Sequence, residues 1–143
     1  MKKFEFNQLG KIIAINLEPG DLVLESIKTE LEASGVKNAV LVSALGSMCR
    51  LNYHVIGATT KQPQDLYRSI EAPVELGTMQ GMVLNGAPHI HLVASTPDGV
   101  THIGHLEPGC VVQYLIEMTF IEVKDMELYR DIDEYGIGHF AMV

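Results

Sequence analysis

The sequence predicts an α+β domain, a mainly antiparallel β-sheet with one principal helix from the N-terminal half packed on it. Three observations carry that expectation. Helical spacing of apolar residues occurs once, over residues 21–34. From Ala39 to Val123 the pattern changes to β-rich runs punctuated by Gly and Pro. The 143 residues, 47% of them hydrophobic, suffice for one domain whose core needs no disulfide staples.

Taken in order, Phe4 and Phe6 alternate and Ile12 to Leu17 run apolar, which reads as two short strands around Leu9-Gly10. Glu18-Pro19-Gly20-Asp21 reads as a turn ending in a helix N-cap, because the Asp21 carboxylate can accept from free N–H groups of the first turn. Leu22, Val23, Ile27 and Leu31 then form the apolar stripe, with Glu25, Lys28, Glu30 and Glu32 outward. Gly35 supplies a left-handed cap that ends the helix near Ser34. Strands are expected at Ala39–Leu45, bounded by Gly46, and at Cys49–Ile56. A loop surrounds Pro63, and one or two short strands broken by Gly77 and Gly81 cover Val74–Val83. His89–Thr96, Val100–Leu106 and Val111–Val123 complete the sheet. The whole chain is read as one domain, 1–143, with its core at about residues 10–123. The tail, 124–143, is acidic at first and ends in Ile137, Phe140, Ala141, Met142 and Val143, which suits docking on the body or on a neighbouring subunit.

Ten Lys and Arg against eighteen Asp and Glu leave a net charge of −8. That balance argues against gripping nucleic acid by its phosphates, unless Lys2, Lys3 and Lys11 form a local patch. The apolar stretch Ile12–Ile15 stops at Asn16 and Glu18, too short to cross a membrane, and no cleavage site follows it. Cys49 and Cys110 form no CxxC pair and read as reduced thiols of a cytoplasmic protein.

Four of the six histidines fall between positions 89 and 105. Pro97-Asp98-Gly99 separates two β-rich runs as a three-residue hairpin turn, which sets the register: Thr96 faces Val100, Ala94 faces His102 and His91 faces His105. Alternation then puts His89, His91 and His105 on one face, and His102 on the other with Ile90, Leu92, Ala94 and Leu106. Three imidazoles on adjacent strands suit Zn²⁺ or a similar divalent transition metal and leave a fourth position for water or a small ligand. The same pattern also fits surface histidines or histidines at a subunit contact. Glu107 shares the parity of His105 and is a candidate base, or else a turn carboxylate beside Pro108. His54 and His139 have no partner visible in the sequence and read as structural, and Cys110 reads as a small hydrophobe.

Gly86-Ala87-Pro88-His89-Ile90-His91-Leu92, Asp98-Gly99 and Gly104-His105-Leu106-Glu107-Pro108-Gly109-Cys110 together resemble the PPC domain (plant and prokaryote conserved). Gly20-Asp21-Leu22, Ser43-Ala44-Leu45-Gly46-Ser47 and Pro73-Val74-Glu75-Leu76 are weaker marks. The resemblance covers about residues 10–123. It implies an antiparallel sheet with helical cover, homotrimeric assembly, and His89, His91 and His105 as metal ligands, with Glu75 at the family's acidic position. The chain has Ile103-Gly104-His105 where the family has Gly-Gly-His, and it lacks the Arg-Gly-Arg-Pro core of an AT-hook. A DNA-binding label would therefore come from the hook of plant relatives. Three functions compete, the least favoured by the net charge of −8 being direct DNA binding through a patch at Lys2, Lys3 and Lys11. The first is a homotrimeric metal protein handling a small ligand, by metal-assisted hydrolysis if it is an enzyme, with Glu75 or Glu107 carrying the proton. The second is a non-enzymatic scaffold that recruits other proteins.

Overall fold

Alternating apolar side chains, not helices, account for most of this chain, and they build eight strands around one helix. The computed structural model describes residues 1–143. In chain order the elements are β1 (Leu9–Leu17), α1 (Val23–Ala33), β2 (Ala39–Ile56), β3 (Asp65–Leu84), β4 (Ala87–Ser95), β5 (Thr101–Leu106), β6 (Val111–Val123), β7 (Leu128–Ile132) and β8 (Gly138–Met142). The first six strands form one antiparallel sheet in the order β1-β6-β2-β3-β4-β5, and β7 with β8 form a separate hairpin. The expected architecture is therefore present. No helix is long and apolar enough to cross a membrane.

The sheet curls back on itself. One edge of β2 pairs with β6 over its first half and with β5 near its end, at Tyr53↔Leu106 and His54↔His105. Strands β2, β3, β4 and β5 thus close a ring. The core lies under α1 and inside that curl: Val23, Leu24, Ile27 and Leu31 of the helix meet Met48, Leu51, Leu76, Ile90, Leu92, Leu106, Ile116 and Phe120.

Several local expectations need correction. Residues 1–8 form no strand; Asn7 and Gln8 donate their N–H groups to Asp125, while Phe4 and Phe6 pack in a small cluster with Met126, Leu128 and Phe140. The tail beyond Val123 therefore packs on the body through this cluster, together with Leu84 and Met82 of β3. Asp21 is not the N-cap. Leu22 holds that position without a side-chain bond, and Asp21 Oδ2 instead accepts from Glu18 N at 2.9 Å. The helix start is served by the chain opening β6, because Val23 N donates to the Cys110 carbonyl at 3.0 Å. The helix does end where the sequence places it, at Ser34 before Gly35 with φ +69°. Gly46, Gly77 and Gly81 lie inside long strands rather than ending short ones, with a register shift between Leu76 and Thr78. A mid-strand glycine here marks a bulge or a close approach of a neighbouring backbone, not a turn.

Candidate metal centre

The site begins with the turn. Thr96 N donates to the Val100 carbonyl at 3.0 Å, Gly99 takes φ +81°, and Asp98 Oδ1 accepts from the Thr96 hydroxyl at 2.5 Å. The hairpin register is the expected one: His91↔His105 and Ala94↔His102. Ile90, Leu92, Ala94 and Leu106 are all buried, so the histidine-free parity of β4 is the core face. His102 points there and is held by the Tyr53 hydroxyl at 3.1 Å and the Thr96 hydroxyl at 3.2 Å.

On the other face His89, His91 and His105 converge. The Nε2 atoms of His89 and His91 are 3.3 Å apart, and their rings stack at 5.3 Å between centroids. The His105 ring stands edge-on to both, at 4.8 and 5.4 Å. One nitrogen from each ring lies within 4.8 Å of the other two. A tetrahedral zinc with Zn–N bonds of about 2.0–2.1 Å holds its ligand nitrogens about 3.3–3.4 Å apart, so the His89–His91 pair already has the spacing of a coordination edge. His91 is exposed and the other two are half-buried, which leaves the cluster open to solvent.

Two glycines let the strands approach this closely. A Cβ on Gly81 would overlap the His89 carbonyl oxygen and come within 2.8 Å of Ile90 Cα. A Cβ on Gly104 would overlap the His54 carbonyl oxygen, at the point where β5 closes on β2. Ile103, the departure from Gly-Gly-His, is 57% exposed on the outer face, so Gly104 alone meets the steric demand.

That closure brings in a residue the sequence reading set aside. His54 faces His105 across β2 and β5, with ring centroids 4.7 Å apart. Its Nδ1 is 2.6 Å from Glu107 Oε1, and its Nε2 is 3.8 Å from Asp65 Oδ1. His54, His105 and Glu107 thus form a second group of ligand-type atoms sharing His105 with the first. The two carboxylates named from the sequence part company here. Glu107 sits at the rings, whereas Glu75 faces Ser95 on β4 and lines a groove of about 730 Å³ with Leu45, Met48 and Tyr114. His139 bonds Asp133 in the tail hairpin, 3.0 Å away. Both cysteines are free; Cys110 is buried against the Asn52 backbone, and desolvation pushes its thiol up to about 11.

Burial favours the neutral form of all three rings, the form that ligates metal. His89 is pushed down to about 4, first by desolvation, then by the Arg130 guanidinium and the neighbouring imidazoles. His91 and His105 are lowered too, chiefly by desolvation and then by His54. A histidine with a lowered folded-state pKa takes up its proton more readily in the unfolded chain. Stability of the metal-free protein therefore rises with pH between about 4 and 6.5 and falls as pH drops through that window. Thermal melts from pH 4 to 7 should show this slope, and His89→Gln should flatten it. Parallel slopes in both proteins would contradict the assignment.

Comparison with known proteins agrees with the fold. The model of the Plants and Prokaryotes Conserved (PCC) domain matches residues 5–124. A metal-containing protein of Archaeoglobus fulgidus superposes with a TM-score of 0.85 and 25% identity over 99% of both chains. A plant- and prokaryote-conserved protein of Pyrococcus horikoshii superposes with a TM-score of 0.79 and 22% identity, over 100% of this chain and 99% of that one. The curated bifunctional protein GlmU of Synechococcus sp. is 21% identical over 123 residues, 86% of this chain, and the match spans 18% of that protein's length.

Proposed function

The chain belongs to the Plants and Prokaryotes Conserved (PCC) domain family, and from that premise we propose that it is a homotrimeric metal protein whose His89, His91 and His105 hold one divalent transition ion. Zinc is the ion that three neutral imidazoles in this spacing suit best. The observation that carries the reading is the 3.3 Å separation of the His89 and His91 nitrogens, with His105 from the neighbouring strand completing the triangle. The metal-containing Archaeoglobus relative supports it. Held by these three residues, such an ion would supply Lewis-acid charge and would lower the pKa of water to about 7.

The chain's own groups do the rest. Glu107 Oε1 lies 2.6 Å from His54 Nδ1, and this contact orients the His54 ring beside His105. Glu107 is therefore the proton-handling carboxylate in this reading, and the reaction class is hydrolysis or addition of water to a small ligand. Assembly is supported by exposed apolar side chains on the sheet, among them Val42, Leu45 and Tyr114, and the number three follows the family resemblance. The test is the metal content of untagged protein together with its mass in solution. One zinc per chain and a mass of about 47 kDa, three times 15.7 kDa, are expected. A monomer without bound metal would overturn the reading and leave the interaction scaffold in its place.

A further inference from the structure

We propose that Arg50 and Asn52 are positioning residues for Glu107, fixing the turn after β5 so that its carboxylate meets His54 at the histidine cluster; this rests on the reading of Glu107 above.

Arg50, Asn52 and His54 alternate along β2 with the buried Leu51 and Tyr53, so the three form one row on the outer face of the strand. That row lies where one edge of β2 changes partner. Arg50 pairs with Val111 of β6, and His54 pairs with His105 of β5. The turn joining those two strands, Glu107-Pro108-Gly109-Cys110, crosses the gap between the pairings. Its backbone is unsuited to a ladder, because Pro108 has no N–H to donate and Gly109 takes φ +82°. One main-chain bond follows the β2–β5 pairing, from Glu107 N to the Asn52 carbonyl at 3.0 Å.

Side chains hold the rest. Asn52 Nδ2 donates to the Pro108 carbonyl at 2.9 Å, and Asn52 Oδ1 accepts from the Ser69 hydroxyl at 2.8 Å, so both ends of the amide are fixed. Arg50 Nε donates to the Gly109 carbonyl at 2.8 Å. The Gly109 N–H goes to Glu25 Oε1 of α1, at 3.0 Å, so Gly109 is held at both its polar groups. The arrangement costs stability, because the other Glu25 oxygen, Oε2, is buried without a partner. Departures of this kind concentrate at functional sites.

Of the side chains on the turn, Cys110 is buried against Asn52, and Glu107 reaches the rings. Glu107 Oε1 lies 2.6 Å from His54 Nδ1, and the His54 ring lies 4.7 Å from that of His105. Two members of the β2 row therefore grip the turn, and the third meets the carboxylate it carries. All three stand on one strand, so the span from turn to histidine is set by β2 and not by a loop.

Nitrogen NMR of the metal-free full chain, labelled at histidine, tests this, with the His54 ring signals identified by their loss in His54→Gln. Glu107→Ala defines where those signals lie once the carboxylate is gone. Asn52→Asp matches the amide in size and keeps the acceptor for Ser69, but has no donor for the Pro108 carbonyl. It should move the His54 signals most of the way to their Glu107→Ala positions, and Arg50→Met should do the same. His139, in the tail hairpin, should stay in place in both, which a general loosening of the fold would not allow. Wild-type His54 signals in either variant overturn the role of the residue it replaces, and so do shifts that His139 shares. If Glu107→Ala leaves His54 unmoved, the contact is absent in solution and the proposal falls with it. No metal is used, so a protein that retains no zinc would sink the metal reading alone and leave this result standing.

Discussion

His91→Ala leaves the protein without stoichiometric zinc. Removing even an outer partner of a metal ligand commonly costs 10–100-fold in affinity, so loss of a ligand among three should cost at least about 100-fold. The side chain is exposed on the face opposite the core and packs on His89 and His105, so the fold should be unaffected within about 0.5 kcal/mol. Zinc competition against a chromogenic chelator, with a urea melt of the metal-free variant, separates the two effects. A variant that holds zinc as tightly as wild type would place the ion elsewhere.

Gly104→Ala should damage fold and site together. The added methyl overlaps the His54 carbonyl oxygen and lies 2.7 Å from Tyr53 Cδ2. A carbonyl in a paired strand cannot retreat by a rotamer change, so β5 must move away from β2. Overpacking of this kind costs about 1–3 kcal/mol. It also shifts His105 from His54 and from the other two rings, so zinc affinity should fall with stability. Ile103→Ala, at an exposed neighbouring position, is the control and should change neither by much. A Gly104→Ala protein that melts like wild type and keeps its zinc would show that the close approach is not required.

These effects trace back to what local sequence can and cannot encode. The Pro97-Asp98-Gly99 turn is a local signal, and it sets the hairpin register because two strands joined by three residues have little freedom to slip. His89, His91 and His105 were therefore legible, as was the buried parity of Ile90, Leu92 and Ala94. His54 was not. Its approach to His105 depends on the sheet curling until β5 meets β2, and no spacing within either strand announces that closure. A weak signal did exist: His54 has Val55 and Tyr53 as neighbours in an alternating run, so its outward face was readable, but its partner was not. Glu75 was drawn toward the site by the family pattern, yet strand register places it opposite Ser95. Glycines inside strands misled in the other direction. Gly46, Gly77 and Gly81 read as breaks because a break and a close backbone approach look alike until the neighbouring strand is known.

The central claim is that three imidazoles from β4 and β5 share one ion. X-ray absorption at the zinc edge, on protein loaded with one equivalent, reads the coordination shell directly. The account predicts three nitrogen neighbours at about 2.0–2.1 Å with the outer-shell scattering of imidazole. A shell of oxygens, or one holding a single imidazole, would contradict it.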